Sequence, residues 1–124
     1  MIDLEVPVID TLETDEEVLR LVGQKIFRFS VPTEFADQYP YIRVAELDNT
    51  DNDYADNKAR SSDIDIQIDF WTIEDPGVIQ TAIDGVMKSL QFRRTGVTPF
   101  FEEETGAIRK SMRYTTKVKF KEEI

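Results

Sequence analysis

The sequence predicts an α+β fold, in which a small antiparallel sheet of about four to five strands carries two to three packed helices. Three observations lead to this prediction. Residues 63–70 and 108–120 alternate apolar and polar side chains with the period of a half-buried strand. Residues 76–90 repeat apolar side chains at helical spacing, which indicates a helix on the apolar face of the sheet.

The amino-terminal segments predict two short helical regions. Residues 2–12 are rich in apolar side chains around Pro7, so they form either a short helix with Pro7 near its start or an extended arm. Thr14 is the expected N-cap of the next helix, because Glu17 follows it by three residues. That helix is predicted to stop at Gly23.

The following segments predict two strands and a long polar loop. Residues 25–29 and 41–44 are rich in strand-forming residues, and a proline-bounded connection over 32–40 joins them. Residues 48–57 consist almost wholly of turn-forming polar side chains. We expect this segment to be an exposed, mobile loop.

The loop over residues 48–57 is the feature that most resembles a metal site, because carboxylates and amides are the ligands of hard cations. A frame that starts at Asp51 places Asp53 correctly for a calcium loop. It also puts Asp56 where glycine is needed and Ser62 where glutamate is needed, so we expect no metal. The loop is instead predicted to make adaptable protein contacts through Asp51, Asp53 and Tyr54.

The last third of the chain predicts a hairpin over residues 96–119 with its turn at 102–106. In its second strand the residues that alternate with the apolar ones are largely basic, whereas in the strand at 63–70 they are largely acidic. Such strands would stabilise each other as neighbours by about 0.2–1 kcal/mol per opposed pair, but the same match also works across a subunit boundary. The side chains concerned are Asp63, Asp65 and Asp69 on one strand and Arg109, Arg113, Lys117, Lys119 and Lys121 on the other.

Composition predicts one domain over residues 1–124 and excludes several function classes. The chain lacks Cys and His, which removes disulfides, thiolate chemistry and the commonest general base. A formal charge of -10 argues against phosphate-backbone binding as the main activity. We therefore expect neither enzymatic activity nor a cofactor. With no long apolar run and no signal-peptide pattern, we also expect an intracellular protein without a membrane partner.

Two polar surfaces and one aromatic residue are candidates for a function. The acidic strand face could supply paired carboxylates for acid-base catalysis, but solvated or salt-bridged strand positions are the favoured interpretation. The basic strand could touch nucleic acid locally, although charge balance against the acidic strand explains it better. Trp71 shares the acidic parity and is therefore predicted to lie exposed or against a partner.

The order of segments resembles the tail-completion (tail-to-head joining, minor tail) proteins of long-tailed bacteriophages or prophages. The likeness spans nearly the whole chain and ends with an amphipathic helix and a closing strand. The segments that carry it are Leu21-Val22-Gly23, Lys25-Ile26-Phe27, Tyr39-Pro40-Tyr41-Ile42-Arg43-Val44 and Ile66-Gln67-Ile68-Asp69-Phe70-Trp71.

The resemblance implies a virion subunit, located at the head-proximal end of the tail and in the host cytoplasm during assembly. Such subunits form a ring, commonly of six copies. Their partners would be other copies of the chain, the tail-tube protein and the head-connector or head-closure protein, with DNA only as passing cargo. The interface candidates are Asp51, Asp53, Tyr54, Asp63, Asp65, Asp69, Trp71, Arg109, Arg113 and Lys117.

A second hypothesis is an acidic protein-binding module that mimics DNA and inhibits a basic partner. Residues 1–62 carry 14 acidic and 6 basic side chains, which favours this reading. The basic closing strand speaks against it.

Overall fold

The computed structural model describes residues 1–120, so Lys121 of the predicted basic parity lies outside the described part. One five-stranded sheet and three helices make up the fold, which confirms the predicted α+β class. The helices are α1 (Glu5–Thr14), α2 (Glu16–Val22) and α3 (Pro76–Ser89). The strands are β1 (Ile26–Arg28), β2 (Tyr41–Asn52), β3 (Ser61–Thr72), β4 (Arg93–Glu102) and β5 (Ala107–Lys119), and a short 3-10 turn spans Thr33–Phe35.

The strands lie in the order β1-β2-β3-β5-β4. All neighbours are antiparallel except β1 and β2, so the sheet is mixed where a purely antiparallel one was expected. The connection over residues 29–40 returns the chain to the end of the sheet at which β1 began, and β2 therefore runs in the direction of β1. The predicted hairpin is formed by β4 and β5.

The core lies between one face of the sheet and the helices. Ile64, Ile66, Ile68 and Phe70 of β3 are fully buried, as their alternation predicts. They pack with buried side chains of α1 and α3, which confirms that α3 covers the apolar face. Burial of each large apolar side chain contributes about 1.5–3 kcal/mol. The helix residues in this core are Val8, Leu12, Val18, Val22, Ile79, Ile83, Val86 and Met87.

The first two helices follow each other almost without a break. Residues 5–14 take the helical alternative, with Pro7 in the first turn. The predicted N-cap of α2 was wrong, because Asp15 caps it by accepting a 3.0 Å hydrogen bond from the backbone N–H of Val18. Thr14 is the last residue of α1, and its hydroxyl donates to the carbonyl of Asp10 instead. Because α1 continues to this point, the backbone of Thr14 is helical and cannot serve as a cap.

The predicted mobile loop at 48–57 is half strand. The β2–β3 ladder continues to the pair Asn52 and Ser61, so only residues 53–60 form the turn. Pairing with a long partner strand outweighs the weak strand propensity of Asp and Asn. Asp53, Asp56 and Asn57 take positive φ angles of 53°, 53° and 62°, which explains their residue types, because Asp and Asn tolerate this conformation.

A bulge between Glu46 and Asp48 separates the two halves of β2. The buried carboxylate of Glu5 supports it by accepting a 2.8 Å hydrogen bond from the backbone N–H of Glu46. The other oxygen of Glu5 accepts from Nε of Arg28 at 2.9 Å. The first helix is thereby connected to the strand at the point where the strand changes register.

Candidate functional site

The strand alternation leaves one face of the sheet without helices, and we call it the helix-free face. On β3 it presents Asp63, Asp65, Gln67, Asp69 and Trp71, the parity opposite to the buried isoleucines. The neighbouring strands β2 and β5 extend this face on both sides. The surface therefore combines side chains that are distant in sequence.

A row of side chains crosses the helix-free face at one end. Direct strand pairing places Tyr41 opposite Trp71, Trp71 opposite Arg109, and Arg109 opposite Phe100. The Tyr41 and Trp71 ring centroids lie 5.1 Å apart. The guanidinium carbon of Arg109 lies 5.3 Å from the Trp71 centroid and 5.1 Å from the Phe100 centroid. These distances are within the range of cation–π attraction, and we call these four residues the aromatic–arginine row.

Hydrogen bonds within the chain hold the aromatic–arginine row in place, and part of the row is exposed to solvent. The indole N–H of Trp71 donates a 3.2 Å hydrogen bond to Glu102, and the Tyr41 hydroxyl donates to the carbonyl of Ala36 at 3.0 Å. Burial raises the pKa of Tyr41 to about 12. Phe100 is 45% exposed and Trp71 is half-buried, so the row presents accessible aromatic surface in a fixed arrangement.

The buried carboxylate of Asp69 lies next to the aromatic–arginine row and binds the side chains around it. Arg43 and the Ser111 hydroxyl both donate to it, and Nη2 of Arg109 lies 3.1 Å from Oδ1. Burial raises the pKa of Asp69, but the hydrogen bonds from Ser111, Gln67 and Arg43 outweigh it and hold the pKa below its ordinary value. Asp69 thus stays charged and holds both guanidinium groups over the ring of Trp71.

The predicted acidic and basic strands are neighbours, and this prediction is confirmed. The individual pairings differ from a simple ladder of opposite charges. Asp63 faces Lys117 across the strands, yet the Lys117 ammonium lies 2.9 Å from Asp53. The hydrogen bond between them lowers the pKa of Asp53 and raises the pKa of Lys117. Asp65 faces Thr115, and Arg113 donates at 3.2 Å to the amide of Gln67, which it faces. These contacts are all made within one chain.

The polar hairpin tip at residues 53–60 lies at the other end of the sheet from the aromatic–arginine row. Asp53 accepts a 2.7 Å hydrogen bond from Ser61, and Asp51 accepts one of 3.3 Å from Ser62. Tyr54 is 66% exposed. The predicted contact residues Asp51, Asp53 and Tyr54 are therefore separated from Trp71 and Arg109.

Sequence reasoning missed Arg43 and Glu102 as members of the site. Arg43 shares the parity of Tyr41 in an otherwise apolar strand segment, which was the available signal. Its guanidinium carbon lies 5.6 Å from the Trp71 centroid, and its Nε is buried without a hydrogen-bond partner among residues 1–120. Glu102 carried no signal, because its role depends on a contact with a residue 31 positions away.

This arrangement is suited to binding a macromolecule. Within residues 1–120, no three carboxylates converge as metal ligands would. None of the helices in the described range is long and apolar enough to cross a membrane. Aromatic and arginine side chains on a preformed sheet surface are instead typical of protein interfaces.

Comparison with known proteins identifies the family. The family model of tail completion protein gp17 matches residues 6–118. The chain belongs to this family. It is thus a phage tail structural protein, as its resemblance to the tail-completion proteins predicted.

A solved structure supports the fold. A chain from a structure described as the virion of a native gene transfer agent particle is similar, with a TM-score of 0.61. The match covers 94% of this chain and 95% of that chain at 18% sequence identity, a level that speaks for the fold alone. No curated protein sequence matches this tail completion chain.

Proposed function

We propose that this tail completion protein forms a ring at the head-proximal end of the tail tube and docks there to the head connector. Membership of the tail completion family supports this role, because completing a tail requires a contact at its growing end. The other copies of the chain, the tail-tube protein and the head-connector or head-closure protein are the proposed partners.

The aromatic–arginine row is the observation that carries the docking part of the proposal. Trp, Tyr and Arg are the residue types that contribute most to protein interfaces, and here they are held in place by strand pairing and by Asp69. A rigid surface loses little side-chain entropy when a partner binds.

The net charge fits a subunit through which DNA passes as cargo. A chain with a formal charge of -10 repels a polyanion, so DNA would cross the ring without adhering to it. The exposed Tyr54 and the hairpin tip at residues 53–60 would provide a second contact, away from the row.

The carboxylates of β3 do not support the alternative of a DNA mimic. Such a module needs a row of carboxylates presented to a partner. On β3, Asp69 is buried and paired with Arg43 and Arg109, while Asp63 lies beside Lys117. The carboxylates of this face are thus interleaved with bases of the same chain.

Native mass spectrometry over a wide concentration series, with negative-stain imaging, tests the ring. A closed assembly of defined copy number is the expected result, either in solution or on isolated tails. A protein that stays monomeric and fails to bind tails would contradict the proposal.

A further inference from the structure

Some charges of the helix-free face are already used within the subunit. Asp69 forms buried ion pairs, and Lys117 pairs with Asp53. A contact between copies needs charges that have no ion-pair partner within residues 1–120. One basic and one acidic surface carry such charges.

The first is the basic strand surface, which consists of Arg93, Arg113, Lys117 and Lys119 on the helix-free face. Residues 93–101 and 107–119 carry seven basic and no acidic side chains. On the β4 side Arg113 faces Gly96, which has no side chain to cover it, and Arg113 is exposed. Within residues 1–120, Arg93, Arg113 and Lys119 form no ion pair. An open depression of about 490 Å³ lies at this surface, and its charged lining residues are Arg93, Lys117 and Asp63.

The second is the acidic helix surface, which consists of Asp10, Glu13, Glu16 and Glu17 on α1 and α2. All four side chains are exposed. Residues 5–22 contain six acidic and one basic side chain, and the base, Arg20, pairs with Glu17. Within the described range, Asp10, Glu13 and Glu16 have no ion-pair partner.

The two surfaces lie on opposite sides of the sheet, because α1 packs on the face with the core and the basic strand surface belongs to the helix-free face. Unlike surfaces on opposite sides of a subunit produce head-to-tail association, which closes into a ring when the rotation permits. Two copies with a charge of -10 each repel one another unless a positive surface of one meets a negative surface of the other.

We infer that the basic strand surface of one copy binds the acidic helix surface of the next copy. The inference rests on the proposed ring and names the two surfaces that form it. Charge complementarity would set the orientation of neighbouring copies.

Charge reversal with mixing tests the inference. One variant carries Asp10→Lys and Glu13→Lys, and the other carries Arg93→Glu and Arg113→Glu. Each variant alone should reduce ring abundance by at least about tenfold, because like charges then face each other. An equimolar mixture should restore rings of alternating composition, which native mass spectrometry resolves by mass. Circular dichroism of each variant confirms folding.

A matched control carries Glu103→Lys and Glu104→Lys, the same charge change in the β4–β5 turn, and should assemble normally. Normal ring abundance from either reversed variant would overturn the inference and leave the proposed ring standing. Loss without rescue in the mixture would also overturn it. Failure of the unmodified protein to form a ring, even on tails, would contradict the proposed function itself.

Discussion

Arg109 of β5 stands directly opposite Trp71 of β3, and its guanidinium carbon lies 5.3 Å from the centroid of the indole ring. The same guanidinium forms an ion pair with the buried Asp69. One arginine thus connects a buried carboxylate to an accessible aromatic surface. The stability of the subunit and the shape of its proposed docking surface depend on the same group.

Removing the exposed aromatic ring of the row should weaken docking without unfolding the subunit. Phe100→Ala is expected to raise the dissociation constant for the tail or connector partner by about 30-fold, the effect of a loss near 2 kcal/mol. Trp71 is the sole tryptophan, so its fluorescence provides a direct binding signal. Thr98→Ala, on the same strand and face, is the control and should change the constant by less than about twofold. Equal effects of both changes would remove the row from the docking surface.

Removing the buried carboxylate should destabilise the fold strongly. Asp69→Ala leaves Arg43 and Arg109 without their counter-ion, and we expect a loss of about 2–4 kcal/mol in the free energy of unfolding. Asp65→Ala changes the same residue type on the same face, where no side-chain hydrogen bond forms within residues 1–120. Its expected cost is about 0.5 kcal/mol or less. Urea unfolding measures both, and similar losses would show that Asp69 is not the organising group.

The lowered pKa of Asp69 predicts the direction of the pH dependence. The folded pKa lies below the unfolded one, so the contribution of Asp69 is complete above the unfolded pKa of about 3.9 and is lost as the pH falls through the folded value. The stability difference between the unmodified protein and Asp69→Asn should therefore be constant near pH 7 and shrink below about pH 4. Urea unfolding across this range checks it, and a difference that grows in acid would reverse the assigned sign.

The N-cap assignment of α2 gives a further stability test. Asp15→Ala removes the acceptor for the backbone N–H of Val18 and should cost about 1 kcal/mol. Thr14→Ala should cost only a few tenths, since its hydroxyl bonds within α1. Thermal unfolding of the two variants distinguishes them, and a larger loss for Thr14→Ala would restore the cap expected from sequence.

Periodicity predicted the elements that define the fold class. The isoleucines of β3 and the apolar stripe of α3 have strict spacings, and both are buried as those spacings require. The complementary parities of β3 and β5 also predicted that these strands are neighbours. These patterns can be read from sequence because each one lies within a single strand or helix.

Features that depend on distant partners could not be predicted in the same way. The strand at Asp48–Asn52 forms because β3 provides a partner, although its own residues favour turns. The parallel direction of β1 depends on the path of the connection that follows it. The contact of Trp71 with Glu102 likewise requires the β4–β5 hairpin to be placed first.

Imaging of reconstituted tails tests the central proposal most directly. Particles of the source phage are produced without this chain, their tails are isolated, and the purified protein is added before cryo-electron microscopy. We expect a ring of this chain at the head-proximal end of each tail, followed by joining to filled heads. Tails that bind no protein, or that bind it elsewhere along the tube, would contradict the account.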